Sequence, residues 1–231
     1  LTCLEPSLMQ ADESSIRHWR FLYESIEEMQ QSLTEHQASL YHFHREVLPV
    51  LQTIHHRFKI TNLYSYQESG LAVTYERDKA VAAFCKKTGI RWHEYQNNGV
   101  IRGLKNRDEW RERWHEHMQQ PEDDVKLRKL RPFGLPNDFY DQVKGPPLDD
   151  SITNRDENFQ PGGSDYARRY LTSFLKQRVK QYNKHIAKPV LSRKSCSRLS
   201  PYIAWGNLSV RQVYQASEAF KKWGPHKREI N

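Results

Sequence analysis

The run Ser195-Cys-Ser-Arg-Leu-Ser-Pro-Tyr-Ile-Ala-Trp-Gly-Asn-Leu-Ser209 is the most directive stretch of the 231-residue chain. It reads as a polar turn, carrying the hydroxyls of Ser195, Ser197 and Ser200 and the cation of Arg198, that feeds a helix. Ser200 is the natural N-cap and Pro201 the first helical residue, because the N–H that proline lacks has no partner inside a helix at that position. A helix opened this way leaves N–H groups facing outward. With the helix dipole and the nearby hydroxyls, they offer a place for an anion, most usefully a phosphate. A Ser-Pro start that does no more than start a helix has the same local signature.

Working outward, Pro161-Gly-Gly163 opens another helix, which Ser164 or Asp165 caps and which runs to about Gln181. Tyr166, Tyr170, Leu171, Phe174, Leu175 and Val179 fall on one side of it, and Arg168, Arg169, Lys176, Arg178 and Lys180 decorate the rest. Beyond the turn, Val213, Ala216, Phe220 and Trp223 mark a last helix, and the chain closes on a fraying basic tail to Asn231. Residues 162–231 hold 15 Lys and Arg against 3 Asp and Glu, a net of +12; the whole chain carries +8, so residues 1–161 carry −4. A polyanion-binding part needs such an excess, although a set of solvated helix faces has the same composition.

The first part alternates strands with helices. Thr2-Cys-Leu4 ends a strand that Glu5-Pro6 turns. Ile16, Trp19, Leu22, Tyr23, Ile26, Met29 and Leu33 then recur at helical spacing over about Ser15 to Leu33, a core stripe. Ser39–Phe43 reads as a strand; Val47, Leu48, Leu51, Ile54 and Phe58 mark a helix that tolerates Pro49 only near its first turn. Ile60–Tyr66 and Ile90–Tyr95 are further strands, with a helix over Lys79–Lys87 between them. This order predicts a parallel sheet covered by helices, an α/β fold. Its ligand-binding edge would lie beyond the carboxyl ends of the strands.

Asn106–Met118 reads as a helix with Trp110 and Trp114 on one packing edge. From Gln119 to Gln160 periodicity stops: five prolines, the acidic Glu122-Asp-Asp124 and the basic Lys126–Arg131 mark a linker, and a loop of this length is functional or interdomain. Three well-separated cysteines, Cys3, Cys85 and Cys196, argue for a reducing compartment over a disulfide framework. His42-x-His44, His55-His56 and His115-x-His117 lack the spacing of a zinc site, so no metal is expected. A mean hydropathy of −0.91 and the lack of an apolar run of about 18 residues predict a soluble chain that spans no membrane. Leu1 is not an initiator and no leader follows it, which reads as a piece of a longer protein.

The Cys-Ser-Arg-Leu-Ser-Pro-Tyr-Ile-Ala-Trp-Gly-Asn-Leu-Ser run resembles the Thr-Ser-x-Leu-Ser-Pro-x-Leu-x-x-Gly-x-Leu-Ser signature of the DNA photolyase and cryptochrome family. In that family this turn holds the diphosphate of FAD. The resemblance implies cofactor contacts at Cys196, Ser197, Arg198, Leu199 and Ser200, with Cys196 standing where the family has a threonine, and at Tyr182, similar to a family tyrosine that reaches the phosphates. Pro161-Gly-Gly163 resembles the start of the family's flavin domain. Glu5-Pro6-Ser7-Leu8 with Arg17-His18-Trp19, and Tyr66–Asp78 with its Arg77-Asp78 pair, resemble parts of its first domain. On the residues alone, Arg77-Asp78 reads as a surface ion pair.

The implied architecture is a Rossmann-like α/β domain over residues 1–119 lacking its first strand and helix, a linker over 120–160, and a truncated all-α FAD-binding domain over 161–231. The implied activity is that of a deoxyribodipyrimidine photo-lyase, a carbon-carbon lyase in which light-excited reduced FAD passes an electron to a pyrimidine dimer in DNA. Cryptochrome-type photoreception without repair, or an inert fragment of either kind, is the alternative. FAD, a folate or deazaflavin antenna, and UV-damaged DNA are the implied partners of a monomeric protein, cytoplasmic or, in a eukaryote, nuclear. No residue of this stretch is expected to be catalytic, and Trp205 and Trp223 are not assigned to an electron relay.

Overall fold

The computed structural model describes residues 1–122 and 126–223. The Asp123-Asp124 end of the acidic run, the side chain of Trp223 and the tail 224–231 lie outside the described residues. Packing divides the chain into two units, Leu1–Arg102 with Val125–Gln160, and Gly103–Asp124 with Pro161–Asn231.

In the first unit, β1 (Thr2–Cys3) leads through α1 (Pro6–Met9) and α2 (Ile16–Thr34) to β2 (His42–Phe43), which pairs parallel to β1 with Thr2 opposite His42. A second crossover, α3 (Val47–Phe58), reaches β3 (Asn62–Tyr66); α4 (Ala72–Thr88) then leads to β4 (Arg91–Tyr95), parallel to β3 from Asn62–Arg91 to Tyr66–Tyr95. The sequence therefore gives the α/β pattern with parallel pairing that its alternation predicts, in two pairs. The strand predicted over Ser39–Phe43 is shorter. The N–H of Leu40 donates to Gln30 Oε1 at 2.6 Å and is lost to the ladder.

Pro49 is the third residue of α3, where its missing N–H is harmless. Gly89 ends α4 at φ 75°, its N–H returning to Cys85 O, a left-handed cap that suits a residue without Cβ. The stripe on α2 buries Trp19 and Ile26 with Leu4 and Ile152. Ile16 and Met29, two members of that predicted stripe, are about half exposed. Leu51, Val81, Cys85 and Ile90 form a second cluster beneath β3 and β4.

The proline-rich stretch is ordered around α6 (Asn137–Val143) and α7 (Asp150–Thr153). Leu135 and Val143 enter a core with Phe43, Val50 and Ile54, and the Tyr140 hydroxyl donates to His42 O at 2.8 Å. Gly145 sits at φ 90° against the backbone of His44, and a Cβ there would meet His44 O at 2.3 Å. Arg20 closes the end of this stretch by donating to Ser151 O at 2.7 and 2.9 Å.

Every described element of the second unit is helical. They are α5 (Trp110–Gln119), α8 (Ser164–Lys176), α9 (Tyr182–His185), α10 (Pro189–Ser195), α11 (Ser200–Ala204) and α12 (Val210–Trp223), with a 3₁₀ turn at Arg178–Gln181. α5 packs on α12. Trp114 meets Tyr214 edge to face at 5.1 Å, and Gln215 Nε2 donates to the carbonyls of Met118 and Gln120. Tyr202, fully buried, donates its hydroxyl to Pro161 O at 2.9 Å.

No helix among the described residues is long and apolar enough to cross a membrane.

Candidate functional site

The helix predicted from Ser164 to about Gln181 stops at Lys176. Gln177 leaves helical geometry at φ −132°, ψ −56°, and the chain tightens into the 3₁₀ turn that begins with Arg178. Pro189 then opens α10, a helix that the sequence reading does not contain. As a result Ser195, expected in the turn, is the buried last residue of α10. Its hydroxyl donates to Leu191 O and faces His185 Nδ1 at 3.2 Å.

The turn itself is Cys196–Leu199. Ser200, expected as the N-cap, is the first residue of α11, and Leu199 occupies the cap position at φ −90°, ψ −12° without a side-chain cap. The shift follows from Arg198, which takes φ 59° and turns the backbone one residue earlier than the Ser-Pro pair implies. A left-handed residue followed by a right-handed one points successive N–H groups to one side, the geometry of an anion-binding nest. Among the described residues, no protein acceptor takes the backbone N–H of Ser197, Leu199 or Ser200. The Leu199 side chain is buried, Ser200 is exposed, and Cys196, Ser197 and Arg198 lie between these extremes.

Arg178 holds this backbone in place. Its Nη1 donates to Cys196 O, and its Nη2 to Tyr170 O at 2.6 Å, Ser173 Oγ at 3.1 Å and Ser197 O at 3.2 Å. The guanidinium also lies over the rings of Tyr170 and Phe174, at 5.6 and 5.7 Å from their centres. Burial pulls its pKa down, and the like charge of Arg198 adds to that pull. Tyr182, the other predicted contact, is half-buried and set edge-on to Phe174 at 5.6 Å.

Arg198 also faces an open cavity of about 570 Å³. From α8 come Tyr166, Arg169, Tyr170 and Ser173, and Arg178, Arg193 and Lys194 complete the wall. Tyr182, Cys196, Ser197, Leu199 and Ser200 do not line it; the turn residues form the nest, Arg198 also faces the basic bowl, and Tyr182 stands against Phe174. Sequence reasoning placed Arg169 and Arg178 on solvated faces and passed over Arg193-Lys194; that basic pair, just before the turn, was the available signal.

In the first unit the carboxyl ends of the strands are closed by polar groups bound to one another. Glu5, 2 % exposed, accepts from Val47 N at 2.9 Å and from Arg77 Nη1 at 2.8 Å. Arg77 also meets Asp78 at 2.9 Å and Glu68 at 3.7 Å. The expected surface pair is thus a partly buried hub. Burial works against the Arg77 charge, but hydrogen bonding and attraction from Glu5, then Asp78, raise its pKa on balance. Burial raises the Asp78 pKa despite the pull of Arg77 in the other direction. Thr74 is buried and donates to Leu71 O.

Residues 1–103 match the family model for DNA photolyase. No curated protein matches the chain significantly. Among solved structures, a bacterial class III photolyase from Agrobacterium tumefaciens superposes with a TM-score of 0.66 at 12 % identity, over 95 % of this chain and 48 % of that one. An archaeal photolyase from Sulfolobus tokodaii, determined with two FAD molecules, gives a TM-score of 0.59 at 17 % identity, over 94 % of this chain and 47 % of that one. The chain thus spans about half the length of the structures it resembles. The family match thus covers the first 103 residues, and the fold over nearly all the chain's length is that of the photolyase structures.

Proposed function

We propose that the chain is part of a photolyase whose turn at Cys196–Ser200 grips the diphosphate of FAD. The unclaimed N–H groups of Ser197, Leu199 and Ser200, held on one side by the left-handed Arg198, carry this reading. They are joined by the hydroxyls of Ser197 and Ser200, the guanidinium of Arg198 and the hydroxyl of Tyr182. The donor set suits the group: neutral N–H and O–H donors with one cation match a diphosphate held at a nest. The Cys196 thiol is a weak donor and adds least. In this reading residues 1–119 correspond to the family's first domain, with α5 at its end packing among the helices. Residues 120–160 are then its connector and 161–231 the start of its flavin domain.

Reduced FAD, when bound, supplies the photoexcited electron that splits a cyclobutane pyrimidine dimer. The chain's own residues bind and orient. The turn fixes the diphosphate, Arg178 fixes the turn, and the basic second unit favours a DNA partner bearing UV lesions. At the strand ends of the first unit, Glu5 and Asp78 are both bound to Arg77.

The test is flavin absorbance and light-dependent repair in the complete protein. Ser197→Ala with Ser200→Ala lowers the flavin-to-protein ratio severalfold. An unchanged ratio removes the diphosphate assignment, and bound flavin without light-dependent repair turns the proposal toward photoreception.

A further inference from the structure

The end of α5 is held by side chains of α12. The last carbonyls of a helix have no partner inside it. Here Gln215 Nε2 donates to Met118 O at 2.9 Å and to Gln120 O at 2.8 Å, and Arg211 Nη1 donates to Pro121 O at 3.3 Å. The chain enters the second unit at Gly103 and leaves it after Asp124, so these bonds secure an inserted segment.

Two histidines lie on the α5 side of this seam. His115 Nδ1 stands 3.4 Å from the Tyr214 hydroxyl, and His117 meets Arg211, whose Nη2 lies 3.4 Å from Nδ1 and 3.5 Å from Nε2. The contact with Arg211 is one that only a neutral ring can keep. A neutral imidazole has one nitrogen free to accept from the guanidinium, whereas an imidazolium carries a proton on both. Protonation therefore withdraws an acceptor from Arg211 and sets two positive charges against each other.

Arg211 has little to replace that acceptor. Its Nε is buried and, among the described residues, has no partner. No carboxylate among the described residues is paired with it. Glu122, just beyond α5, accepts instead from Gln212 Nε2 at 3.3 Å. On α5 itself, Arg113 is paired with Glu109 at 2.7 Å one turn before His117, and Glu116 projects about 100° round the helix. Burial draws the pKa of His117 below the ordinary 6.5, and the charge of Arg211 adds to the fall. The closed seam thus binds the proton less readily than the open one. Its stability is complete above about pH 6.5 and is lost as pH falls through the lower closed value.

We propose that His117 and Arg211 form an acid-released clasp, in which protonation of the histidine frees the end of α5 and the residues up to 122 from α12 while α8 stays folded. The clasp goes beyond the flavin proposal and does not depend on it, since neither residue belongs to the turn at Cys196–Ser200.

The experiment is hydrogen–deuterium exchange of the complete protein at pH 7.5 and pH 5.5, corrected for the intrinsic pH dependence of amide exchange. It is read by mass spectrometry on peptides covering Trp110–Gln119, with peptides of α8 as the reference. A free imidazole is about nine-tenths protonated at pH 5.5, which limits the effect of one histidine to about tenfold. Protection of α5 falls by between about three- and tenfold at the lower pH, and that of α8 is unchanged. His117→Gln keeps α5 protected at both pH values, and His117→Lys leaves it poorly protected at both. Arg211→Gln takes away the like charge and makes the response smaller.

Equal protection of α5 at the two pH values in the parent protein overturns the clasp. A full response in His117→Gln gives the effect to another group and overturns it as well, and a full response in Arg211→Gln does the same. Should His117→Gln not fold, the Arg211→Gln comparison decides. Loss of α8 protection in step with α5 would mean general acid unfolding, and the clasp is then discarded.

Discussion

The guanidinium of Arg178 spans nineteen residues of chain to reach the carbonyl oxygen of Ser197 at 3.2 Å. With its bonds to Cys196 O and Tyr170 O, this fixes the backbone of the turn from behind, leaving the N–H side of the same peptides facing away from the clamp.

Arg178→Met removes those donors and strands partly buried carbonyls. It lowers the stability of the helical unit by about 2 kcal/mol, read as a fall of about 12 °C in its melting temperature. Arg178→Lys does not recover the loss, because an ammonium cannot serve the separated carbonyls that a planar fork reaches. A lysine variant melting with the parent would show that charge alone is needed.

Arg77→Met leaves the Glu5 carboxylate buried with, among the described residues, only the Val47 N–H as partner. Breaking one side of a buried pair costs about 3 kcal/mol. Adding Glu5→Gln removes the stranded charge and returns part of that stability. A double-mutant cycle by urea unfolding measures both effects; simple additivity would mean the two residues are not coupled in the hub.

His42 is half-buried on β2, edge-on to Tyr23 at 6.3 Å. Burial pulls its pKa below the ordinary 6.5, with Glu27 opposing and Lys144 adding to the fall. The folded state therefore binds the proton less readily than the unfolded chain. Its contribution is complete above about pH 6.5 and is lost as pH falls through the lower folded value. His42→Gln flattens the pH dependence of unfolding between about pH 7 and 5, and an unaltered slope would assign that dependence to other groups.

Burial, with Glu5 next in effect, pushes the Cys3 thiol up to about 12. At pH 8 only about one molecule in ten thousand carries it as thiolate. Iodoacetamide applied to the native protein at pH 8 therefore leaves Cys3 unmodified by mass spectrometry, and denaturation exposes it to full alkylation. Rapid native alkylation at Cys3 would contradict the packing around β1.

Much of the α/β part was legible because its signals are local. Periodicity located α2 and α3, and the positions of β3 and β4 followed from runs bounded by turns. What escaped was tertiary. The prolines of 121–147 read as a linker, yet Leu135 and Val143 are core residues because Tyr41 and Tyr140 supply long-range hydrogen bonds that no period records.

The break at Gln177 was hidden for the same reason, since apolar spacing continues through Val179 while Arg178 is drawn to carbonyls far along the chain. The turn motif that suggested a family lies at Ser195–Ser209, whereas the family model matches residues 1–103, so the two signals come from different parts of the chain. The basic bowl was legible only as a charge excess, because its cations come from three places in the sequence that folding brings together.

Arg198 occupies a conformation, φ 59°, that L side chains adopt at a penalty of about 1 kcal/mol and that glycine adopts freely. Glycine there would relax the backbone and remove the cation that the turn itself carries. The position is thus pulled in opposite directions by durability and by ligand affinity. Directed evolution for heat resistance alone would drift toward glycine at 198, while selection for retention of a bound phosphate would keep the arginine.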